Sequence, residues 1–87
     1  MDKEEIEKLY NFSVHNEKDL ENSLVAHCFS CLQTYSVDQI DEFIEEKNGT
    51  QTAICPICYV DAVIAGNKNV SDQQLLELNR TYFRMEN

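Results

Sequence analysis

Apolar residues recur at helical spacing in residues 36–48, and polar and acidic residues fill the other positions. Ser36 and Gln39 have the spacing of a capping box, which satisfies free backbone N–H groups at a helix start. Gly49 follows where a left-handed residue ends many helices. The pattern therefore predicts a central helix over residues 36–48, with an apolar stripe formed by Val37, Ile40, Phe43 and Ile44.

A second helical pattern follows near the end of the sequence. Ser71 and Gln74 repeat the capping signal, and the apolar seam after them consists of Leu75, Leu78, Tyr82 and Met85. Leu76 and Phe83 lie beside this seam and widen it. We expect an amphipathic helix over residues 71–85 whose seam covers the core. Its flank at Leu76 and Phe83 is predicted to be partly exposed, as a contact for a second copy or a partner.

The remaining apolar segments are short and rich in β-branched and aromatic residues, which favours strands: 23–27, 32–35, 50–54 and 59–64. Residues 2–10 have spacing compatible with a short helix, and the polar residues 11–22 are predicted to form a loop. The order is strand, strand, helix, strand, strand, helix, which indicates a small α+β domain.

The chain of 87 residues is long enough for one domain with a thin core, and such domains often need a metal or disulfides. We divide it into three parts of that domain. Residues 1–22 form an acidic N-terminal segment, residues 23–66 the core that contains all four cysteines, and residues 67–87 the C-terminal amphipathic helix.

The chain is strongly acidic, with 16 acidic and 7 basic residues and a formal net charge of −9. Acidic residues are concentrated in residues 1–22 and 36–48. Phosphate binding depends on lysine and arginine, so this composition argues against general nucleic-acid binding. Long-range attraction instead favours a basic protein partner.

No apolar run typical of a secretory signal opens the sequence, which begins MDKEEIEKLYNF. No stretch approaches the roughly 20 apolar residues that span a bilayer. We therefore expect a cytoplasmic protein without membrane contact, in a compartment where thiols stay reduced.

All four cysteines occur in two Cys-x-x-Cys pairs, Cys28 with Cys31 and Cys55 with Cys58. Two intervening residues let the chain turn so that both sulfurs face one point. One pair supplies half of the tetrahedron of soft ligands that Zn²⁺ prefers, and the second pair supplies the rest. The spacing predicts one structural Zn²⁺ per chain, bound by these four residues.

Other uses of the cysteines remain open at this point. They could be buried free thiols or form two disulfides. Cys55-Pro56-Ile57-Cys58 also looks like the active-site motif of glutaredoxins. A redox pair needs the start of a helix to lower the thiol pKa, however, and the residues after Cys58 favour a strand.

The two histidines are secondary candidates. His27 directly precedes Cys28, and we interpret it as a neighbour or hydrogen-bonding partner of the ligands rather than a ligand, because four sulfurs complete the site. His15 lies in a polar segment and is predicted to be solvated.

The stretch HCFSCLQTY, followed by the predicted amphipathic acidic helix and then TAICPICYVDAVI, resembles small bacterial zinc-ribbon or zinc-knuckle proteins of unknown function. The likeness covers about half of the chain. It implies zinc ligands at Cys28, Cys31, Cys55 and Cys58, and two knuckles on short β-hairpins around a central helix. Leu32 and Tyr59 stand where many zinc knuckles have glycine, which predicts less regular turns.

We expect a binding module and not an enzyme, because four thiolates leave no open position on the metal. The first hypothesis is a zinc-stabilised adaptor or regulator that binds a protein, with a homodimer through residues 71–85 as a further option. The alternative is a nucleic-acid-related regulator, which would bind DNA through a local basic face or mimic DNA with its acidic surface. A thiol–disulfide oxidoreductase that uses the CPIC motif is the third hypothesis.

Overall fold

The computed structural model describes residues 2–83, and within them the chain forms a small α+β structure with antiparallel sheets. This agrees with the predicted class, while the three-part division of the domain stays a prediction. The elements are α1 (Lys3–Asn11), α2 (Glu17–Glu21), β1 (Val25–Cys28), β2 (Thr34–Ser36), β3 (Phe43–Glu45), β4 (Gln51–Ala53), β5 (Val63–Ala65) and α3 (Asp72–Tyr82).

The strands form two separate sheets. β1 is the centre of a three-stranded sheet, in which Ala26 lies opposite Tyr35 of β2 and Ala65 of β5. β3 and β4 form a two-stranded hairpin, in which Ile44 lies opposite Thr52. β4 and β5, which are consecutive strands, therefore belong to different sheets, and the second cysteine pair connects them.

The predicted central helix over residues 36–48 is wrong. Ser36 does cap a turn, because its side chain accepts a hydrogen bond from the Asp38 N–H, but only one 3-10 turn follows, at Val37–Gln39. The chain then extends into β3. Gly49, with a φ of 85°, forms the turn of the β3–β4 hairpin instead of ending a helix.

The residue types of this segment suit a strand as well as a helix, which explains the error. Ile40 is buried, while Phe43 and Ile44 in β3 are 38% and 41% exposed. β-Branched and aromatic residues suit a pleated strand, and a short isolated helix is marginal in water. Pairing with β4 supplies the backbone hydrogen bonds that a helix would otherwise make.

The C-terminal helix begins where the sequence predicts. The Ser71 hydroxyl accepts from the Gln74 N–H, and the Gln74 side chain accepts from the Ser71 N–H, which completes the capping box. Leu75 and Leu78 of the seam are buried. α3 ends at Tyr82, and Met85, the last predicted seam residue, lies outside the described residues.

The two residues of the predicted flank of α3 differ in exposure. Leu76 is 41% exposed, whereas Phe83 is half-buried, with its ring centroid 5.4 Å from that of Phe29. Phe83 therefore belongs to an aromatic cluster of the fold. Whether the flank contacts a second copy stays a prediction.

The N-terminal part contains two helices. α1 lies where a short helix is predicted and contacts α3. The prediction of a loop over residues 11–22 is wrong in part, because α2 forms there and contacts β4 and β5. Buried Leu20 of α2 explains the difference, since packing of one apolar face can stabilise a helix of weak propensity.

Asn16, at the start of α2, joins the two sheets. Its side chain is fully buried. Nδ2 donates to the Val63 carbonyl of β5 at 2.7 Å and to the Ser13 carbonyl at 3.3 Å, while Oδ1 accepts from the Ala53 N–H of β4 at 3.0 Å. One amide thereby satisfies backbone groups of both strands that flank the second cysteine pair.

Candidate metal centre

Each cysteine pair lies in a tight turn, and the two turns have the same backbone hydrogen bonds. In the first turn, the Cys28 carbonyl accepts from the Leu32 N–H at 2.8 Å, and the Cys28 N–H donates to the Gln33 carbonyl at 3.0 Å. The second turn repeats both bonds around Cys55, each at 3.0 Å. The same local conformation is therefore built twice from different residues.

The residue after the second cysteine of each turn has a left-handed backbone. Leu32 has a φ of 62° and Tyr59 a φ of 64°. The prediction of less regular turns is wrong, because both residues adopt the conformation that glycine would adopt without strain. A left-handed non-glycine residue costs roughly 1–2 kcal/mol, so the surrounding structure must offset this cost in both turns.

Backbone amides point at the first sulfur of each pair. The Ser30 N–H donates to Cys28 Sγ at 3.4 Å, and the Ile57 N–H donates to Cys55 Sγ at 3.4 Å. Hydrogen bonds to a charged group favour its charged form. The turns are thus built to accept thiolates.

The fold brings the four cysteines together. Cys28 Sγ lies 3.6 Å from Cys58 Sγ, and Cys31 Sγ lies 3.8 Å from Cys55 Sγ. All four sulfurs lie within 4.8 Å of one another, and all four thiols are free. Four sulfurs at 2.3 Å from a zinc ion in a tetrahedron would be about 3.8 Å apart. The donor set and its spacing fit one metal ion.

Strand pairing explains how residues distant in sequence meet. Cys28 ends β1 opposite Val63 of β5, and the Phe29 N–H donates to the Ala62 carbonyl at 3.0 Å. The segment that leaves the second turn therefore runs beside the first turn. Only the first turn connects the strands of one hairpin. The expectation of two knuckles on two hairpins is wrong for the second, because β4 and β5 pair with different strands.

Burial and hydrogen bonding affect the thiols differently. Burial raises the pKa of Cys28 well above its usual range and also raises the pKa of Cys31. Burial acts to raise the pKa of Cys55 as well, but the Tyr35 hydroxyl and the backbone N–H groups of Cys58 and Ile57 outweigh it and lower this pKa to about 7. Because metal binding requires thiolates, protons must leave the buried thiols, and acid competes with the metal.

Tyr35 is a component of the site that the sequence analysis missed. This side chain on β2 is 6% exposed, and burial raises its pKa. Its hydroxyl lies near enough to Cys55 to lower the pKa of that thiol, yet the two groups do not meet hydrogen-bond geometry. The buried hydroxyl has no hydrogen-bond partner within residues 2–83. A thiolate at Cys55 is the acceptor that this donor fits.

Neither histidine belongs to the sulfur cluster. His27 Nδ1 and the Thr34 hydroxyl share a hydrogen bond of 2.8 Å between β1 and β2. His15 is exposed, as predicted, but its N–H donates to the Thr52 hydroxyl at 2.9 Å and its ring contacts the Thr50 hydroxyl. Both residues connect strands or loops of the fold.

Helices α1 and α3 hold the first cysteine turn in place. Phe29, between its two cysteines, is fully buried, with its ring centroid 6.1 Å from that of Tyr10 and 5.4 Å from that of Phe83. Asn79 of α3 donates to the carbonyls of Phe29 and Ser30, both at 2.9 Å. No local pattern indicates the two Asn79 bonds, because they join residues 50 and 49 positions apart in sequence.

The CPIC motif does not lie at the start of a helix, the position that the sequence analysis required of a redox pair. It lies in the turn between β4 and β5, and no helix among residues 2–83 begins at Cys55. Its two sulfurs also contact the first pair, because Cys58 Sγ lies 3.6 Å from Cys28 Sγ and Cys55 Sγ lies 3.8 Å from Cys31 Sγ.

Comparisons with family models, curated proteins and solved structures find no match for this chain. The cysteine cluster suggests a zinc site of four cysteines, while the resemblance to zinc-ribbon proteins stays a prediction. Within residues 2–83, none of the helices is both long enough and apolar enough to span a membrane.

Proposed function

We propose that this chain is a small acidic protein in which Cys28, Cys31, Cys55 and Cys58 bind one structural Zn²⁺, and that it acts as a protein–protein adaptor or regulator. The observation that carries the metal assignment is the sulfur cluster, whose separations of 3.6 Å and 3.8 Å match a tetrahedral site. Tetrahedral sets of four sulfurs select zinc or iron in proteins, and four-cysteine sites of small domains typically hold zinc.

The proposed role of the metal is structural. Four sulfur ligands leave no open coordination position, which a catalytic zinc needs for water or substrate. Cys28 lies at the end of β1, and Cys55 follows β4, so an ion bound to both would connect the two sheets. Zinc would act here together with the Asn16 amide, and the protein would not be an enzyme.

The adaptor role is supported by surface chemistry. The formal net charge is −9, and one Zn²⁺ bound by four thiolates would make the protein more acidic still. Such a field attracts basic partners over long distances. The second cysteine turn presents Ile57 and Tyr59 to solvent, at 49% and 69% exposure, as apolar contact area.

Elemental analysis of reduced, tag-free protein tests the metal assignment. We expect one zinc per chain in the wild type and none in a variant with all four cysteines replaced by serine. Wild-type protein without metal would contradict the assignment, and iron in place of zinc would contradict the choice of ion.

Affinity purification from the native cell tests the adaptor role, with a metal-free cysteine variant as the control. We expect a specific protein that the wild type retains and the variant loses. Salt-dependent binding to duplex DNA would support the nucleic-acid alternative, and capture of a DNA-processing enzyme would support DNA mimicry. Turnover in a dithiol–disulfide assay would support the redox hypothesis instead.

A homodimer through the flank of α3 is a separate prediction. Leu76 is exposed, so Leu76→Glu should change self-association without unfolding the chain, while Gln73→Glu on the same helix adds the same charge as a control. Equal sedimentation of both variants and the wild type would contradict the homodimer.

A further inference from the structure

Strand β3 pairs with β4 along one of its edges. The Ile54 N–H donates to the Glu42 carbonyl at 2.9 Å, and the Glu46 N–H donates to the Thr50 carbonyl at 2.8 Å. In an antiparallel pair, hydrogen-bonded positions alternate along the strand. Glu42, Ile44 and Glu46 therefore direct their backbone groups toward β4.

Phe43 and Glu45, the alternate positions, direct their N–H and carbonyl groups toward the opposite edge. Within residues 2–83 the hairpin sheet contains only β3 and β4, so no strand covers this edge. The outer edge of β4 differs, because its Ala53 N–H donates to Asn16 and α2 packs beside it. The open edge of the hairpin is therefore on β3, and we call it the β3 edge.

Two large apolar side chains flank the β3 edge. Phe43 and Ile44 are consecutive, so they lie on opposite faces of the strand, and they are 38% and 41% exposed. A strand added at the edge would cover part of both side chains and pair with the free backbone groups. This combination is typical of binding by β-strand addition, in which backbone hydrogen bonds supply affinity and side chains supply specificity.

The charge around the β3 edge determines which partner fits it. Asp41, Glu42, Glu45 and Glu46 lie on or beside β3, and Lys47 is the basic residue next to them. A strand with cations on one face would place them near the carboxylates of that face, which are Glu45 on the Phe43 side or Glu42 and Glu46 on the Ile44 side. Opposite charges on neighbouring strands stabilise pairing, and like charges destabilise it.

We propose that the β3 edge binds an extended segment of a partner protein in which lysine or arginine alternates with apolar residues. This inference deepens the adaptor role proposed above, on which it rests, by naming the surface and the partner chemistry. A second copy is the poorer occupant, because two β3 edges side by side would bring four acidic residues of each chain together.

Isothermal calorimetry with a short capped peptide of alternating lysine and valine tests the proposal. The control peptide has the same side chains on N-methylated amides, which keeps the charge and removes the backbone donors. We expect the first peptide to bind and to shift the amide resonances of Phe43 and Glu45. The methylated peptide should bind at least about tenfold more weakly at physiological salt, since screened charge alone gives little affinity.

Matched protein variants locate the binding surface. Glu45→Lys reverses a charge at the edge, and Glu4→Lys makes the same change on the exposed face of α1. We expect Glu45→Lys to weaken peptide binding at least about tenfold and Glu4→Lys to leave it near the wild-type value. Equal binding of both peptides, an equal effect of both variants, or a dimer formed through β3 would overturn the proposal.

Zinc content measured on each variant separates this proposal from the metal assignment. Protein that contains zinc but does not bind the peptide would contradict the β3 edge alone. Protein that lacks zinc but binds the peptide at β3 would contradict the metal assignment and leave the β3 edge supported.

Discussion

The two cysteine turns have the same backbone and opposite surroundings. Phe29 in the first turn is fully buried between helices, and Asn79 donates to two of the carbonyls of that turn. The second turn instead exposes Ile57 and Tyr59. Their shared backbone directs one N–H group at the first sulfur of each pair. Their side chains differ in burial because the first turn packs against helices α1 and α3, whereas the side chains of Ile57 and Tyr59 face solvent.

The comparison implies that the two turns depend on the metal to different degrees. The first turn is held by β1, β2, the aromatic cluster and α3, through contacts that involve no metal ligand atom. The second turn connects strands of two sheets, and the tertiary contacts described above fix its flanking strands, through Asn16, rather than its tip. We therefore expect metal loss to release the second turn more completely than the first.

Removal of a metal ligand should have the largest effect. Structural zinc in small domains contributes roughly 10–16 kcal/mol of apparent binding free energy, which exceeds or matches the stability of most domains. Cys28→Ser and Cys58→Ser, one from each turn, should each abolish tight zinc binding and strongly destabilise the central region. Because both act on one ion, their effects on the free energy of unfolding should be similar and not additive.

Hydrogen exchange on chelated wild-type protein tests the asymmetry of the turns. Amides of the first turn and β1 should keep more protection than amides of the second turn. Equal loss of protection in both turns would contradict the comparison, and a full cooperative transition without metal would contradict a structural role for zinc.

Truncation of an apolar side chain should destabilise the first turn far more than the second. Phe29→Ala removes a fully buried ring and should lower the free energy of unfolding by about 3–5 kcal/mol. Ile57→Ala changes a half-exposed side chain and should lower it by less than about 1 kcal/mol. Denaturant unfolding of both zinc-loaded variants measures the difference. Similar losses would mean that the two turns are packed alike.

Loss of the Asn79 contacts should have an intermediate effect. Asn79→Ala removes two hydrogen bonds to carbonyls of the first turn and should cost about 1–3 kcal/mol, because part-buried carbonyls lose their donor. Thr81→Ala, on the exposed side of the same helix, is the matched control and should change stability little. Thermal unfolding of the two variants compares them, and an equal change would show that Asn79 acts only through helix propensity.

Glycine in the left-handed position should change the free energy of unfolding least, and it should raise this free energy instead of lowering it. Tyr59→Gly and Leu32→Gly relieve positive-φ strain but increase the entropy of the unfolded chain, so each should stabilise the protein by about 0.5–1 kcal/mol. The two variants should gain similar stability, because the two turns have the same backbone conformation. Ile57→Gly, at a position without positive φ, should not stabilise. Destabilisation by Tyr59→Gly would show that contacts of the Tyr59 side chain stabilise the fold by more than its positive φ costs.

The sequence predicted the features whose causes are local. The spacing of the two Cys-x-x-Cys pairs indicated their convergence, and the structure brings the four sulfurs together. Ser71 and Gln74 form the predicted capping box because both hydrogen bonds join residues three positions apart. The class of small α+β domain followed from the same short-range patterns.

The features that the sequence did not predict depend on distant partners. Residues 36–48 carry signals for both a helix and a strand, and pairing of β3 with β4 decides between them. Asn16 bonds to β4 and β5 at separations of 37 and 47 residues, and Tyr35 reaches Cys55 from another strand. A polar residue in a polar segment gives no local sign that it will be buried.

X-ray absorption at the zinc edge of the protein as purified tests the central claim most directly. If the four cysteines bind one structural ion, the zinc should have four sulfur neighbours at about 2.3 Å and no nitrogen or oxygen ligand. A nitrogen neighbour would implicate His27 or His15, and an oxygen neighbour would indicate an open, exchangeable position. Either of these results, or protein without a zinc signal, would contradict the closed four-sulfur site on which this account depends.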